Sequence, residues 1–396
     1  MNPSNATTPV PVGEAQATPP SEPSVARLAD RIRAAAADRC PLAIVGGGSK
    51  AFLGGLPVGE TLSTAELAGI VSYEPSELVV TARAGTPLSE LEAALAERGQ
   101  CLPFEPPHFD ADRAGGGRAT VGGMVAAGLA GPARASVGGV RDYVLGAALL
   151  DGQGRHLVFG GQVMKNVAGY DISRALVGSF GILGLITEVS LKVLPVAPAE
   201  ATLRLTLDAP QALTALAQWR ARPLPLNASC WVRDGSDMHL YLRLRGAAAA
   251  VEAACRELAD RHGAQRLDTA ATAADWAALR EQTLPWFAAR DPQQALWHLS
   301  LPATAPATDL PEPPLMEWHG ARRWVRAPLD QGPRLASLAR RAGGSATLFR
   351  APTVEPVRRP IALDDEPPAF AAIVRRLKAV FDPAGILNPG RLYAGL

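Results

Sequence analysis

The chain has 396 residues, 47% of them apolar and 19% charged, with a formal net charge of +1. That balance argues against a protein whose main partner is nucleic acid or an acidic membrane surface, since both call for a strong basic field. The length admits two or three domains with a sizeable core, and no apolar stretch approaches the ~20 residues of a membrane span. Cys40, Cys101, Cys230 and Cys255 are far apart and form no C-x-x-C pair. They are read as small, mostly buried apolar residues rather than metal ligands or a disulfide scaffold.

Residues 1–24 are rich in Pro, Ser, Thr and Ala and lack the basic start and apolar run of a signal peptide, so a disordered tail is expected. The expected compartment is the cytoplasm. "SVARLADRIRAAAADR" places Val25, Leu28, Ile32 and Ala35 at helical spacing behind Ser24 as a cap. A short strand at 42–45 then runs into Gly46-Gly47-Gly48. "ELVVTARAG" reads as a strand, and Pro87 opens a helix that Gly99 ends. Two strands flank a turn at 151–154, and 185–193 alternates with Leu185, Thr187, Val189, Leu191 and Val193 on one face. Pro195 and Pro198 mark a boundary. Beyond it a strand, a helix, two strands, a helix and a weak strand near 265–267 give the β-α-β-β-α-β order of a ferredoxin-like unit. Helices near Trp276 and Leu335, strands near Trp297 and Trp324, and a last helix ending at Pro383 complete the pattern.

Gly46, Gly48 and Ala51 fit the loose dinucleotide pattern G-x-G-x-x-G/A. A Rossmann turn, however, needs a helix behind it and an acid some 20 residues on. The residues that follow are "FLGGLPVGETLST", where each glycine would cost a helix about 1 kcal/mol and the proline about 3. The Rossmann reading fails on context. A run of backbone N–H groups can still grip phosphate as a nest, and "ATVGGMVAAGLAG" supplies a second grip, with Thr120 as N-cap and a helix N-terminus for an anion. The competing reading is that Gly122 and Gly123 merely allow a helix to pack closely on a sheet.

Four blocks, "GGGSK", "ATVGGMVAAGLAGPARASVGGVRDYVLG", "KNVAGYDISRALVGSFGILGLITEVSLKVLP" and "FDPAGILNPGRLY", together resemble the FAD-binding domain of the vanillyl-alcohol-oxidase type. Within that family the wording is closest to the FAD-binding subunits of bacterial glycolate oxidases. The resemblance covers about residues 40–196 and 375–396. It implies an α+β fold: a two-subdomain FAD-binding domain with a ferredoxin-like α+β cap inserted before the C-terminal segment. The implied division is a tail at 1–24, an FAD-binding domain at 25–198, a cap at 199–365, and a C-terminal helix and tail at 366–396 that return to the FAD domain.

Carried onto this sequence, the resemblance implies that Gly46, Gly47, Gly48, Ser49 and Lys50 lie at the pyrophosphate. Thr120, Gly122 and Gly123 match the T-[VI]-G-G turn, with Ala126 and Gly128 toward the flavin. Ser179, Gly181 and Ile186 match a run that lines the adenine end, and Asn388 and Arg391 match the closing N-P-G-[KR] near the isoalloxazine. Covalent members carry a histidine after the first glycines. Here that place holds Gly48, Ser49 and Lys50, which implies noncovalent FAD. The usual G-S-E-G reads Gly178-Ser179-Phe180-Gly181, so a carboxylate is missing there.

Oxidising a 2-hydroxyacid needs a base, a cation for the carboxylate and a hydride acceptor. The H-x-G-D-G-N-x-H stretch of the catalytic relatives does not occur. His108, His156, His239, His262, His298 and His319 are scattered, and each is expected at the surface or in a structural hydrogen bond. Arg243 and Arg245 alternate on one strand and are expected on an exposed face; no catalytic residue is assigned. The resemblance implies partners: a catalytic FAD subunit and an iron–sulfur subunit of a glycolate oxidase complex, acting on a small 2-hydroxyacid, with any contact to the inner membrane peripheral and made through the complex. A self-sufficient FAD oxidase or dehydrogenase, and a flavin-binding subunit without redox role, remain as alternatives.

Overall fold

A computed structural model describes residues 16–17, 22–110, 117–161, 171–288, 291–310, 312–352, 361–362 and 366–396. The expected N-terminal tail, and residues 165–170 that open the third block, fall largely or wholly outside them.

Helix α1 (Pro23–Asp38) buries Val25, Leu28, Ala29, Ile32 and Ala35 along one stripe. Its N-cap is Glu22, without a side-chain bond, and not Ser24. Pro23 fills the first turn, where a missing N–H costs nothing. The chain leaves through Arg39 in the left-handed region and forms β1 (Leu42–Val45), which pairs in parallel with β2 (Glu60–Ser63).

A six-stranded antiparallel sheet follows. It contains β3 (Ile70–Glu74), β4 (Val79–Arg83), β5 (Val144–Leu150), β6 (His156–Gly160) and β7 (Leu185–Lys192), in the order Gln16–Ala17, β6, β5, β7, β4, β3. Helices α2 (Leu88–Ala96) and α3 (Val121–Ala127) lie against one face, where Val80, Ala82, Val189, Leu191, Ala147 and Leu149 enter the main core. Pro87 sits one residue outside α2 as its N-cap. Because β7 is central, its polar face is covered too, and Ser190 is buried in a 2.8 Å hydroxyl pair with Thr81.

The second sheet has eight strands. Its first part comprises β8 (Ala199–Thr206), α4 (Ala209–Arg220), β9 (Leu226–Asp234), β10 (Asp237–Gly246), α5 (Ala248–His262) and the short strand Gln265–Arg266. The strand order fourth, first, third, second is that of a ferredoxin-like unit. α4 and α5 cover one face. The sheet then continues from β9 through β12 (Leu315–Glu317), β13 (Arg322–Ala327), β11 (Ala295–Ser300) and β14 (Ser345–Arg350). Helix α6 (Thr269–Glu281) follows the ferredoxin-like part, and α7 (Gly332–Arg341) packs beside β14. The face of this sheet opposite α4 and α5 joins Phe52, Leu53 and Phe109 in a separate aromatic-rich core.

Finally α8 (Pro368–Phe381) returns the chain to the first half. Its Lys378 is buried, with Nζ donating to the Ile182 and Leu387 carbonyls and to Asp382 Oδ2 at 2.9, 2.7 and 2.7 Å. Burial drags the Lys378 ammonium below its ordinary value while Asp382 opposes the shift.

Expectations for the arginines and cysteines also need correction. Arg243 is 2% exposed rather than on an open face, because Glu105 from the first half lies over it. Arg243 Nη2 donates to both Glu105 oxygens at 2.7 Å, its Nε donates to Asn227 Oδ1 at 2.7 Å, and Arg245 reaches Glu105 at 3.1 Å. No strand pattern reveals a carboxylate arriving from 138 residues away. Of the cysteines, Cys230 and Cys255 are buried, Cys101 is half-buried and Cys40 is exposed just past the end of α1.

Candidate functional site

Where β1 ends, the glycine loop turns against the segment that precedes α3. A β-carbon on Gly46 would lie 2.5 Å from Thr120 Oγ1, and one on Gly47 would lie 1.5 Å from the Arg118 carbonyl oxygen. Gly48 has φ +74°, a conformation that costs glycine little. These residues are glycine because two backbones touch. Tight turns follow, with Ala51 and Leu53 donating to the Gly48 and Lys50 carbonyls at 2.9 and 3.1 Å, and no helix begins. The backbone N–H groups of Gly46, Gly47, Gly48 and Ser49 find no acceptor among the described residues.

The second grip is built differently from the expectation. Thr120 does cap α3, its Oγ1 accepting from Gly123 N–H at 3.2 Å. Val121 and Gly122 N–H, however, donate to the Thr86 and Ala84 carbonyls at 3.0 and 2.7 Å. The first-turn donors of α3 are therefore spent within the protein and are not offered to an anion. What α3 presents to the groove is small surface: Gly123, Ala126 and Ala127.

The groove is lined by Gly46, Gly47, Gly48, Ser49, Lys50, Thr120, Gly123, Ala126, Asn388 and Arg391, all singled out in the sequence. Ile44, Val45, Ala51, Pro57, Arg118, Ala127 and Phe180 line it as well and were missed. Phe180 stands where the family's acid would be, so its place in the wall had no signal. The other expected residues stand behind the wall. Gly122 packs on Ala84, which a β-carbon would approach to 2.6 Å. Gly128 ends α3 at φ +64°, Ser179 is buried, and Gly181 lies beneath the Asn388 amide. Ile186 is buried within β7.

Asn388 and Arg391 both act on the backbone. Asn388 Oδ1 accepts from Ile44 N–H at 2.7 Å and its Nδ2 donates to the Phe180 carbonyl at 2.6 Å. It thus clasps β1 to the Phe180 turn. Arg391 donates to the Gly55 carbonyl and, at 3.3 Å, to that of Ala51, fixing the far side of the glycine loop.

Lys50 is the groove's cation of interest. Among the described residues its Nζ meets Ser49 Oγ and the His108 carbonyl, each at 3.3 Å, and the Phe109 ring at 5.8 Å. Burial pushes the ammonium down to about 8, against the opposing charges of Glu281, Asp110 and Glu92. A mostly buried ammonium beside free N–H groups is an environment for an anion.

Among the described lining residues there is no histidine, aspartate or glutamate. His108 bonds Glu92 at 2.9 Å, which pulls its ring toward protonation. His319 bonds Ser229 and Ser136, and burial pushes it down to about 4. His298 is held neutral by burial beside Arg322. Among the described residues no cluster of His, Cys, Asp and Glu could hold a metal ion.

The free N–H run, the under-neutralised Lys50 and the small-residue wall suit a ligand with a compact anionic centre and flat apolar flanks. They fit FAD. Two family patterns match the chain: an FAD binding domain over residues 23–160 and the C-terminal domain of FAD linked oxidases over residues 358–392. Glycolate oxidase subunit GlcE of Escherichia coli (strain K12) is 44% identical over 371 residues, spanning 93% of this chain and 97% of that one. The chain belongs to the GlcE family of glycolate oxidase subunits, within the FAD linked oxidases. Over the FAD-binding part it is also similar to a D-lactate dehydrogenase of Archaeoglobus fulgidus, at 34% identity over 39% of this chain and 33% of that one. Glycolate oxidase subunit GlcD of Bacillus subtilis is 29% identical over 42% and 34% of the two chains. Among solved structures, FgChi7B superposes with a TM-score of 0.64 at 15% identity, covering 94% of this chain and 90% of that one. An alkyldihydroxyacetonephosphate synthase gives 0.62 at 15%, covering 94% and 76%. These last two show the fold alone.

Proposed function

We propose that this chain is the FAD-carrying subunit of a complex that oxidises glycolate to glyoxylate. In this reading residues 25–198 with 366–396 form the cofactor half and 199–365 the cap. The observation that carries it is the groove between the two glycine segments, in a chain matching the GlcE subunit over nearly its whole length. Bound FAD supplies the hydride acceptor for a CH–OH group. The chain's own part is to hold it: the N–H groups of Gly46 to Ser49 and the Lys50 ammonium take the pyrophosphate, while Gly123, Ala126 and Ala127 allow close approach. Asn388 and Arg391, on the groove wall, keep the loop in shape through their bonds to its backbone. With no histidine beside the glycines, FAD is held without a covalent link.

Among the described residues the groove wall carries no carboxylate or imidazole, and in this reading the base for the substrate hydroxyl comes from a partner. A catalytic flavoprotein subunit supplies it, and an iron–sulfur subunit carries electrons onward. Among the described residues no helix is long and apolar enough to cross a membrane; the complex works in the cytoplasm, with peripheral contact at the inner membrane. A missing positioned base costs about 10²–10⁴ in rate. Anaerobic mixing of the FAD-loaded chain with glycolate should therefore leave its visible flavin absorbance unbleached on the timescale of the complex's turnover. Prompt bleaching would make the chain a self-sufficient oxidase.

A further inference from the structure

A carboxylate of the cap holds the strap His108–Phe109, which lies beside Lys50. Glu281 is the last residue of α6, and its Oε2 accepts from Phe109 N–H at 2.8 Å and from His108 N–H at 3.0 Å. Its Oε1 accepts from His108 N–H at 3.2 Å and from Arg280 Nε at 2.8 Å. The carbonyl of the same His108 accepts from Lys50 Nζ. Phe109 has φ +57°, a left-handed conformation that is rare for a bulky residue and needs support from its surroundings. A charged acceptor on two successive N–H groups gives that support. The connection runs from cap helix to strap to groove cation.

We propose that Glu281 is a positioning residue through which the cap sets the readiness of Lys50 to bind the cofactor's pyrophosphate. The proposal rests on the reading of the groove as the FAD site. Glu281 acts in two ways. It fixes the strap whose carbonyl orients the ammonium, and its negative charge favours the protonated amine in a place where burial disfavours it. Among the described residues the other charged or titratable groups facing Lys50 and its strap are Asp110, Glu92 and the His108 imidazole that Glu92 holds toward protonation, with Arg280 on Glu281, Arg350 over the Phe52 and Phe109 rings, and Arg118 on the groove wall. Asp110 is committed to Ala119 N–H at 2.8 Å and Glu92 to His108. Glu281 alone of the three acids touches the strap's backbone next to Lys50.

Only the ammonium attracts an anion. FAD affinity should therefore be flat on the acid side of the Lys50 midpoint and fall above it, by up to about tenfold per pH unit for one linked proton. The test titrates the full-length chain, freed of FAD, with FAD from about pH 6 to 10, reading the quenching of FAD fluorescence. Glu281→Gln should move the break to lower pH by about one unit, Lys50→Met should remove it, and the double variant should match Lys50→Met. Glu281→Asp, which keeps the charge, should keep the break nearer its original place. Far-UV circular dichroism melts of the free proteins establish that each variant is folded, and Glu281→Asp against wild type carries the comparison if Glu281→Gln is not. An unchanged break in Glu281→Gln, or a break that survives in Lys50→Met, overturns the proposal while leaving FAD binding intact. Failure of the wild-type chain to bind FAD at any pH overturns the groove reading and the proposal with it.

Discussion

Adjacent glycines in α3 should respond to substitution in opposite ways. Gly122 faces the sheet: a β-carbon there would lie 2.6 Å from Ala84 Cβ and 3.0 Å from its carbonyl oxygen. Carbon atoms settle at about 3.5–4.0 Å, so Gly122→Ala must push α3 off β4 by roughly 1 Å. Overpacking of that kind costs about 1–3 kcal/mol, against a gain of about 1 kcal/mol in helix propensity. The net is a loss of stability in the free protein. Gly123 faces the groove, and among the described residues its β-carbon would meet only Thr120 Oγ1, at 3.0 Å. Gly123→Val leaves the sheet packing untouched and places two methyl groups where the cofactor must approach. Thermal melts with and without FAD separate the two. At a hundred times its Kd a ligand adds about 2.7 kcal/mol, worth about 5 °C or more for a domain of 150–250 residues. Gly123→Val should melt like wild type without FAD and gain nothing from it, whereas Gly122→Ala should melt lower with the ligand shift partly kept. A Gly123→Val protein that melts as low as Gly122→Ala, or that keeps the full FAD shift, would refute the assignment of Gly123 to the site.

Acid or heat should release a yellow cofactor that migrates as FAD on chromatography; flavin remaining on the denatured chain would contradict the noncovalent link. Asn388→Ala leaves Ile44 N–H and the Phe180 carbonyl without their 2.7 and 2.6 Å partners, an expected loss of about 2–6 kcal/mol in urea unfolding at about 1–3 kcal/mol per orphaned group. Glu105 is pushed upward by burial, but the charge and bonds of Arg243 and then Arg245 outweigh this and hold it below its ordinary 4.5. Its stabilising contribution is therefore complete above the unfolded value and lost as pH falls through the folded one. Wild type should show an acid limb below about pH 4.5 in a pH series of melts, and Glu105→Gln should be less stable at neutral pH with that limb reduced.

Much of this molecule was legible along the chain because it depends on local chemistry. The 3.6-residue stripe of α1, the alternation in β7 and the β-α-β-β-α-β order from β8 to Gln265–Arg266 each follow from short-range patterning. The Rossmann reading could be rejected from Gly54, Gly55, Pro57 and Gly59 alone, since a helix cannot form through them. Glycine spacing likewise marked the two segments that form the groove.

What escaped the sequence depends on partners from distant segments. Whether an arginine on a strand faces water or a carboxylate depends on what packs over it, and Glu105 reaches Arg243 only because the second sheet packs on the first half of the chain. The motif T-V-G-G reads identically whether its N–H groups await an anion or bond Thr86 and Ala84, and only the placement of residues 84–86, just past β4, beside α3 decides it. Phe180 enters the groove wall because Asn388, 208 residues later, draws its turn toward β1. The sequence by itself determined which segments could turn tightly and which could form helices or strands, since those preferences lie within a few residues of each backbone bond. The tertiary structure alone decided which of those glycines face the groove and which face a neighbouring strand, because direction across a packed interface is set by contacts between residues far apart in the chain.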